Sequence, residues 1–253
     1  MPQRKARAKK SSGPARTLAA LRKELYALAD PADAKFLQGF FKTAPGQYGA
    51  GDKFLGLRVP DLRRLVREYP ELEDSEAMAM LASPWHEERL LALLFLVHKY
   101  RRGDHSVRDK IHRAYLANTR YINNWDLVDA SAQYIVGAHL NARSIILLER
   151  LARSDDIWER RIAIVSTFHF IREGEFRPTL KIAKLLVNDP HDLIHKAVGW
   201  MLREMGKRDR RVEDAFLSRH YRKMPRTMLR YAIERHPERM RKQYLKATRT
   251  STG

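Results

Sequence analysis

Four segments of the chain read as variants of one another, and this self-similarity constrains the fold more than any other feature. HEERLLALLFLVHKY starts at His86, WDLVDASAQYIVG at Trp125, WERRIAIVSTFHFI at Trp158 and LIHKAVGWMLREM at Leu193. Aligning Arg89, Asp129, Arg161 and Lys196 separates the copies by 40, 32 and 35 residues, near the length of a two-helix HEAT-type repeat. One such unit cannot bury its apolar face alone, so copies stack and bury it on their neighbours. No stretch alternates apolar and polar residues with period two for the length of a strand; helical spacing runs throughout. It predicts helices over 17–30, 33–43, 60–69, 73–82, 85–101, 104–118, 123–138, 141–153, 157–173, 177–187, 191–206, 209–221, 224–235 and 237–246. Pro60, Pro84, Pro178, Pro190, Pro225 and Pro237 sit at or near proposed starts, where a missing N–H does no harm. Asn123 with Asp126, and Ser154-Asp155-Asp156, read as caps. The expectation is an all-α, HEAT-like repeat solenoid of paired antiparallel helices; the alternative is a globular bundle with chance similarity.

Charge narrows the partner. The formal net charge is +19, and no cysteine occurs. Residues 1–16 hold six basic and no acidic side chains, and residues 239–253 hold five and none. Taking those eleven charges away leaves +8 on the body. A body basic in its own right points to nucleic acid held on a concave basic surface, with the ends adding a general grip on polyanions. A solubility device and an anionic membrane are the bland alternatives, but no long amphipathic helix with a basic and a bulky apolar face stands out. The absence of cysteine excludes a disulfide framework, a thiolate zinc site and a cysteine nucleophile. No apolar run approaches the roughly 20 residues that span a bilayer, and the first residues lack the apolar stretch of a secretory signal. The expectation is a cytoplasmic protein, nucleoid-associated when bound to DNA, with a basic tail over 1–16, one domain over 17–240 and a second basic tail over 241–253.

A glycine-rich loop, TAPGQYGAGDKFLG over 43–56, interrupts the helices. It is no P-loop, because GK[ST] is missing and no strand precedes it. Its N–H groups and Lys53 offer a phosphate contact, against the alternative of a long connection. Trp125 and Asp129 stand four apart and share a helical face. Asp126 suits a helix start. Asp129 lies a full turn in, among apolar neighbours, where a carboxylate is costly unless it faces a groove or a cation. Its structural alternative is pairing with an arginine of the next repeat. Trp158 precedes Arg161 by three, and Trp200 precedes Arg203 by three, an arrangement that can line one surface with rings and guanidiniums. His169 shares the Arg161 face and offers a further phosphate contact or a packing role. His191 and His195 have the spacing of a metal pair, but no HExxH glutamate and no third ligand accompany them. No metal and no cofactor is expected.

The set WDLVD, WERR and KAVGWMLRE resembles the AlkD family of alkylpurine DNA glycosylases over roughly residues 17–240. That resemblance implies removal of alkylated purines from double-stranded DNA by hydrolysis of the N-glycosidic bond, without a cofactor and without strand cleavage. It implies functional roles for Trp125, Asp129 and Trp200 at the sugar, and for Arg161 and Arg203 at phosphates. An aromatic residue of the second helix, usually Tyr in the family, corresponds to Phe36, which keeps a stacking face and loses a hydroxyl. The resemblance also implies recognition without a pocket for a flipped base. A solenoid with capped ends exposes no sticky edge, so a monomer is expected. A non-catalytic DNA-binding repeat protein and a protein–protein scaffold are the rival readings.

Overall fold

The computed structural model describes residues 16–141 and 145–247. The chain runs through α1 (Leu18–Ala27), α2 (Pro31–Phe40), α3 (Val59–Glu68), α4 (Asp74–Leu81) and α5 (His86–Arg102). It continues with α6 (His105–Ala117), α7 (Trp125–Ala132), α8 (Ile146–Leu151), α9 (Ile157–Ser166) and α10 (Phe168–Arg172). It ends with α11 (Arg177–Leu185), α12 (Asp192–Gly206), α13 (Arg210–His220), α14 (Arg226–Ala232) and α15 (Glu238–Ala247). No strand occurs among the described residues; a single isolated bridge joins Lys53 to Trp85. The molecule is an all-helical repeat solenoid.

Its layering follows from which helices touch. α3, α5, α7, α9, α12 and α14 pack one on the next as a central row. α4, α6, α8, α11 and α13 lie against that row as its flanking partners. α5 illustrates why a central helix reads as apolar almost all round: from His86 to Tyr100 nearly every side chain is buried. Local signals set the ends. Asp30, Asp104, Asp156 and Asp209 accept N–H bonds from the first turns of α2, α6, α9 and α13, relieving donors that have no partner inside the helix.

The structure moves several expected boundaries. Asn124, not Asn123, caps α7 by accepting from the Trp125 N–H at 2.8 Å. The helix expected over 157–173 divides into α9 and α10 at Thr167. There Ser166 Oγ donates to the Ile162 carbonyl at 2.6 Å and Thr167 Oγ1 to that of Ile164 at 2.7 Å, a competition that bends helices. α7 runs on as a π-helical turn over Gln133–Gly137. Gly137 permits close packing there, because a Cβ would stand 2.2 Å from the Ser166 carbonyl oxygen. α15 extends past residue 240 to Ala247, with Tyr244 and Leu245 packed on the core, so the start of the expected C-terminal tail is helical. The expected tail over 1–16 lies outside the described residues except for Arg16. No helix among the described residues is long and apolar enough to cross a membrane.

Candidate functional site

Asp129 lies one turn into α7, on the half-exposed face that also carries Trp125, Asp126, Ala130 and Tyr134. Both its oxygens accept from Arg161 of α9, from Nε at 2.9 Å and from Nη2 at 2.8 Å. The third reach of that guanidinium, Nη1, donates to the Leu193 carbonyl on α12 at 2.7 Å. Arg161 therefore straps three consecutive central helices together. The carboxylate keeps a side exposed, at 20% of its side-chain surface against 6% for Arg161.

These partners correct the expected role of Arg161 and set the proton affinity of Asp129. Arg161 is buried and committed to Asp129, so it is not free to meet a phosphate. Asp129 is not held below the ordinary aspartate range: burial raises its carboxyl, and the opposing pull of Arg161 does not reverse the shift. The repeat alignment explains the pairing. Positions occupied by a cation in the other copies, Arg89, Arg161 and Lys196, carry a carboxylate only at Asp129.

Trp125 is half-buried and stacks on Phe41, with ring centroids 5.2 Å apart. Phe40 meets it edge-on at 6.0 Å, and Phe36 stacks on Phe40 at 6.2 Å. Phe36 and Phe40 are 63% and 54% exposed. They extend the Trp125 aromatic face to the surface of α2. Trp200 on α12 is half-exposed and sits edge-on to Phe168 at 5.7 Å. Trp158, by contrast, is buried, beside Tyr48 at 6.2 Å, so the Trp158–Arg161 pair belongs to the core.

Arg203 also has internal partners: Nη1 pairs with Glu234 and Nη2 lies 3.4 Å from Glu204. His169 is half-buried and faces Glu173 at 3.3 Å; burial lowers its pKa, which disfavours the imidazolium a phosphate would want. Lys53 is exposed on the glycine-rich loop. The N–H groups where the loop ends and runs toward α3 are already used. Those of Leu55, Gly56 and Leu57 donate to the buried Glu87 carboxylate at 2.9, 2.8 and 3.3 Å. An internal carboxylate thus occupies that end of the loop in place of a phosphate. Gly56, at φ +89°, is required because a Cβ would stand 2.1 Å from the Asp30 carbonyl oxygen.

Sequence reasoning missed a buried hub behind Trp125. His86 Nδ1 lies 3.1 Å from Asp52 and Nε2 2.8 Å from Asp126. Two carboxylate acceptors require both ring nitrogens to donate, so the imidazolium is the form that fits. Burial opposes its charge, yet Asp126 and Asp52 outweigh burial and push the His86 pKa up to about 9. Asp52 also accepts from Arg89 at 2.7 Å and from Asn124 at 3.2 Å. The hub joins the loop, α5 and the start of α7, and Phe41 stacks between it and Trp125. Asp126 therefore does more than begin a helix. His191 and His195 serve their own helix start. His191 Nδ1 accepts from the Leu193 N–H at 3.1 Å and His195 faces the Asp189 carbonyl. No cluster of three metal-ligating side chains occurs among the described residues.

A helical-repeat solenoid with one partly exposed carboxylate among aromatic rings and guanidiniums is the class of molecule these features define. The sequence model of the DNA alkylation repair enzyme family matches residues 21–236, and the chain belongs to that family. No curated protein sequence matches it significantly. Its fold is similar to that of a solved structure described as a predicted DNA alkylation repair enzyme from Enterococcus faecalis. The TM-score is 0.62 at 15% identity, over 83% of this chain and 97% of the other.

Proposed function

We propose that the protein is a monomeric, cofactor-independent glycosylase of the AlkD type that hydrolyses the N-glycosidic bond of N3- and N7-alkylated purines in duplex DNA. Membership of the DNA alkylation repair enzyme family over residues 21–236 carries the reading, and the partly exposed Asp129 beside Trp125 supplies the chemistry. Breaking the C1′–N bond leaves positive charge on the sugar. An alkylated purine is already cationic, takes the bonding electrons and departs neutral, so no general acid is needed. One carboxylate then suffices: Asp129 stabilises the sugar cation and orients the water whose oxygen bonds to C1′ and whose proton is released.

Trp125 and Trp200 pack on the deoxyribose and exclude bulk water, while Phe36, Phe40 and Lys53 meet the adjacent backbone. Arg161 acts as a positioning residue by fixing both Asp129 oxygens. Phosphate contact falls to arginines that have no carboxylate partner, rather than to Arg161, Arg203 or His169. The proposed domain spans residues 17–247.

One observation favours a second reading. The bidentate Asp129–Arg161 pair would serve equally as a strut between repeats in a non-catalytic DNA-binding protein. The test is release of free methylpurine from methylated duplex DNA. The glycosylase reading expects alkali-labile sites without strand cleavage, and preference for cationic lesions over uracil. Absence of release from methylated duplex under conditions of full binding would leave the second reading standing.

A further inference from the structure

A concavity lined by four arginines and no carboxylate lies beside Asp129, whose neighbour Ala130 forms part of its floor. A groove of about 530 Å³ between α3, α5 and α7 is bordered by Arg63, Arg67, His98, Arg101, Arg102 and Tyr134. Its floor is apolar, formed by Val66, Leu94, Val97 and Ala130. The four arginines are exposed, and none forms an ion pair among the described residues. Most other cations of the central and flanking helices do. Lys99 and Lys110 share Asp74, Arg160 holds Asp189, and Lys196 holds Asp192.

One end of the groove is organised rather than merely charged. The π-helical turn that follows α7 projects Tyr134, and Arg101 lies over its ring at 4.2 Å. Arg172 of α10 approaches the same ring at 5.2 Å and the ring of Phe168 at 4.5 Å. It also donates to Gln133 Oε1 and, at 3.4 Å, to the Tyr134 hydroxyl. Two guanidiniums from different repeats are thus held face-on to one ring, with N–H groups left over on each. Burial alone would raise the Tyr134 phenol, yet Arg172 and Arg101 bring it below its ordinary value. The same field disfavours charge on His98, whose pKa is lowered by burial first and then by Arg102 and Arg101.

We infer that this groove is a binding site for the phosphodiester backbone of nucleic acid, with Arg101, Tyr134 and Arg172 forming a clamp on one phosphate and Arg63, Arg67 and Arg102 continuing the track. The inference rests on the reading of the protein as one that acts on DNA, and it locates the grip where the Trp–Arg spacing of the sequence does not. Planar forks match phosphate oxygens bidentately. A groove without base-edge donors or acceptors of fixed geometry holds backbone irrespective of sequence.

The test is binding of undamaged duplex DNA to the full chain across a salt series, for Arg67→Ala, Arg101→Ala and Arg172→Ala. Each is expected to weaken binding about fivefold and to reduce the slope of log affinity against log salt by about 1, whatever the DNA sequence. Lys110→Ala removes one charge from α6, where it pairs with Asp74, and is expected to leave the slope unchanged. Arg101→Lys keeps the charge without the fork and is expected to retain the slope with part of the affinity lost. It serves as the informative variant should an alanine variant fold poorly. Slopes for all three alanine variants equal to that of Lys110→Ala would overturn the site. Release of methylpurine by the wild type in that case would leave the glycosylase reading intact. Altered slopes without any base release would remove the glycosylase reading and retain the site.

Discussion

Two sets of arginines divide this molecule. Arg89, Arg161 and Arg203 each reach a carboxylate, on Asp52, Asp129 and Glu234 respectively. Arg63, Arg67, Arg101 and Arg102 reach none among the described residues. Burial separates the sets: Arg89 and Arg161 are 4% and 5% exposed, whereas the groove arginines stand in water. Breaking a buried pair strands a charge and costs several kcal/mol, so buried guanidiniums come with carboxylates. An exposed guanidinium keeps its hydration and needs no partner. The first set holds repeats together; the second is open to an anion from outside. An arginine near a tryptophan in the repeat motif is therefore a strut before it is a grip.

The sharpest way to break that division is Asp129→Asn. Base release from methylated duplex is expected to fall by about 100- to 1,000-fold, with duplex affinity unchanged or raised. A rate equal to wild type would remove Asp129 from the chemistry and leave it a strut. Next in size is Arg161→Met, which leaves the Asp129 carboxylate without its partner. Urea unfolding should show a loss of about 3 kcal/mol. The same variant should move the acid limb of the base-release profile to higher pH. The working form is the carboxylate, burial already raises its pKa, and Arg161 is what draws it down. Activity in both proteins should rise with pH through that limb.

His86→Gln is expected to cost about 2 kcal/mol near pH 6, because Asp52 and Asp126 lose the cation between them. The sign of its pH dependence follows from the raised pKa. The wild-type contribution is complete below about 6.5 and is lost as pH rises through about 9. The stability gap between the two proteins should therefore close over that interval, as read by urea titrations at each pH. Smallest is Arg203→Ala, whose partner Glu234 is 48% exposed. A change of about 0.5 kcal/mol in stability and less than twofold in duplex affinity is expected. A loss of affinity as large as that of the groove variants would place Arg203 among the grips.

Much of this was legible in the chain. Helical periodicity and proline positions located the helices to within a few residues, because apolar spacing and capping are local properties. The repeat alignment placed Asp129 in register with cations, and an arginine of the next repeat was the stated structural alternative for its partner. The hub was not legible. Asp52, His86 and Asp126 lie in three separate elements, and nothing in a sequence says that one imidazole will face two distant carboxylates. The groove escaped for a different reason: four exposed arginines look like any other surface charge until packing shows which have acids beside them.

The chain by itself determined an array of paired helices, a basic body and a lone aspartate beside a tryptophan on one helical face. These depend on spacing along one strand of backbone, within a few turns. Only the tertiary structure decided which charges neutralise one another, that Glu87 occupies the end of the glycine-rich loop, and that a π turn brings Tyr134 between arginines of two repeats. Ion pairing depends on distances of a few ångströms between residues tens of positions apart, and those distances exist only once the repeats have stacked.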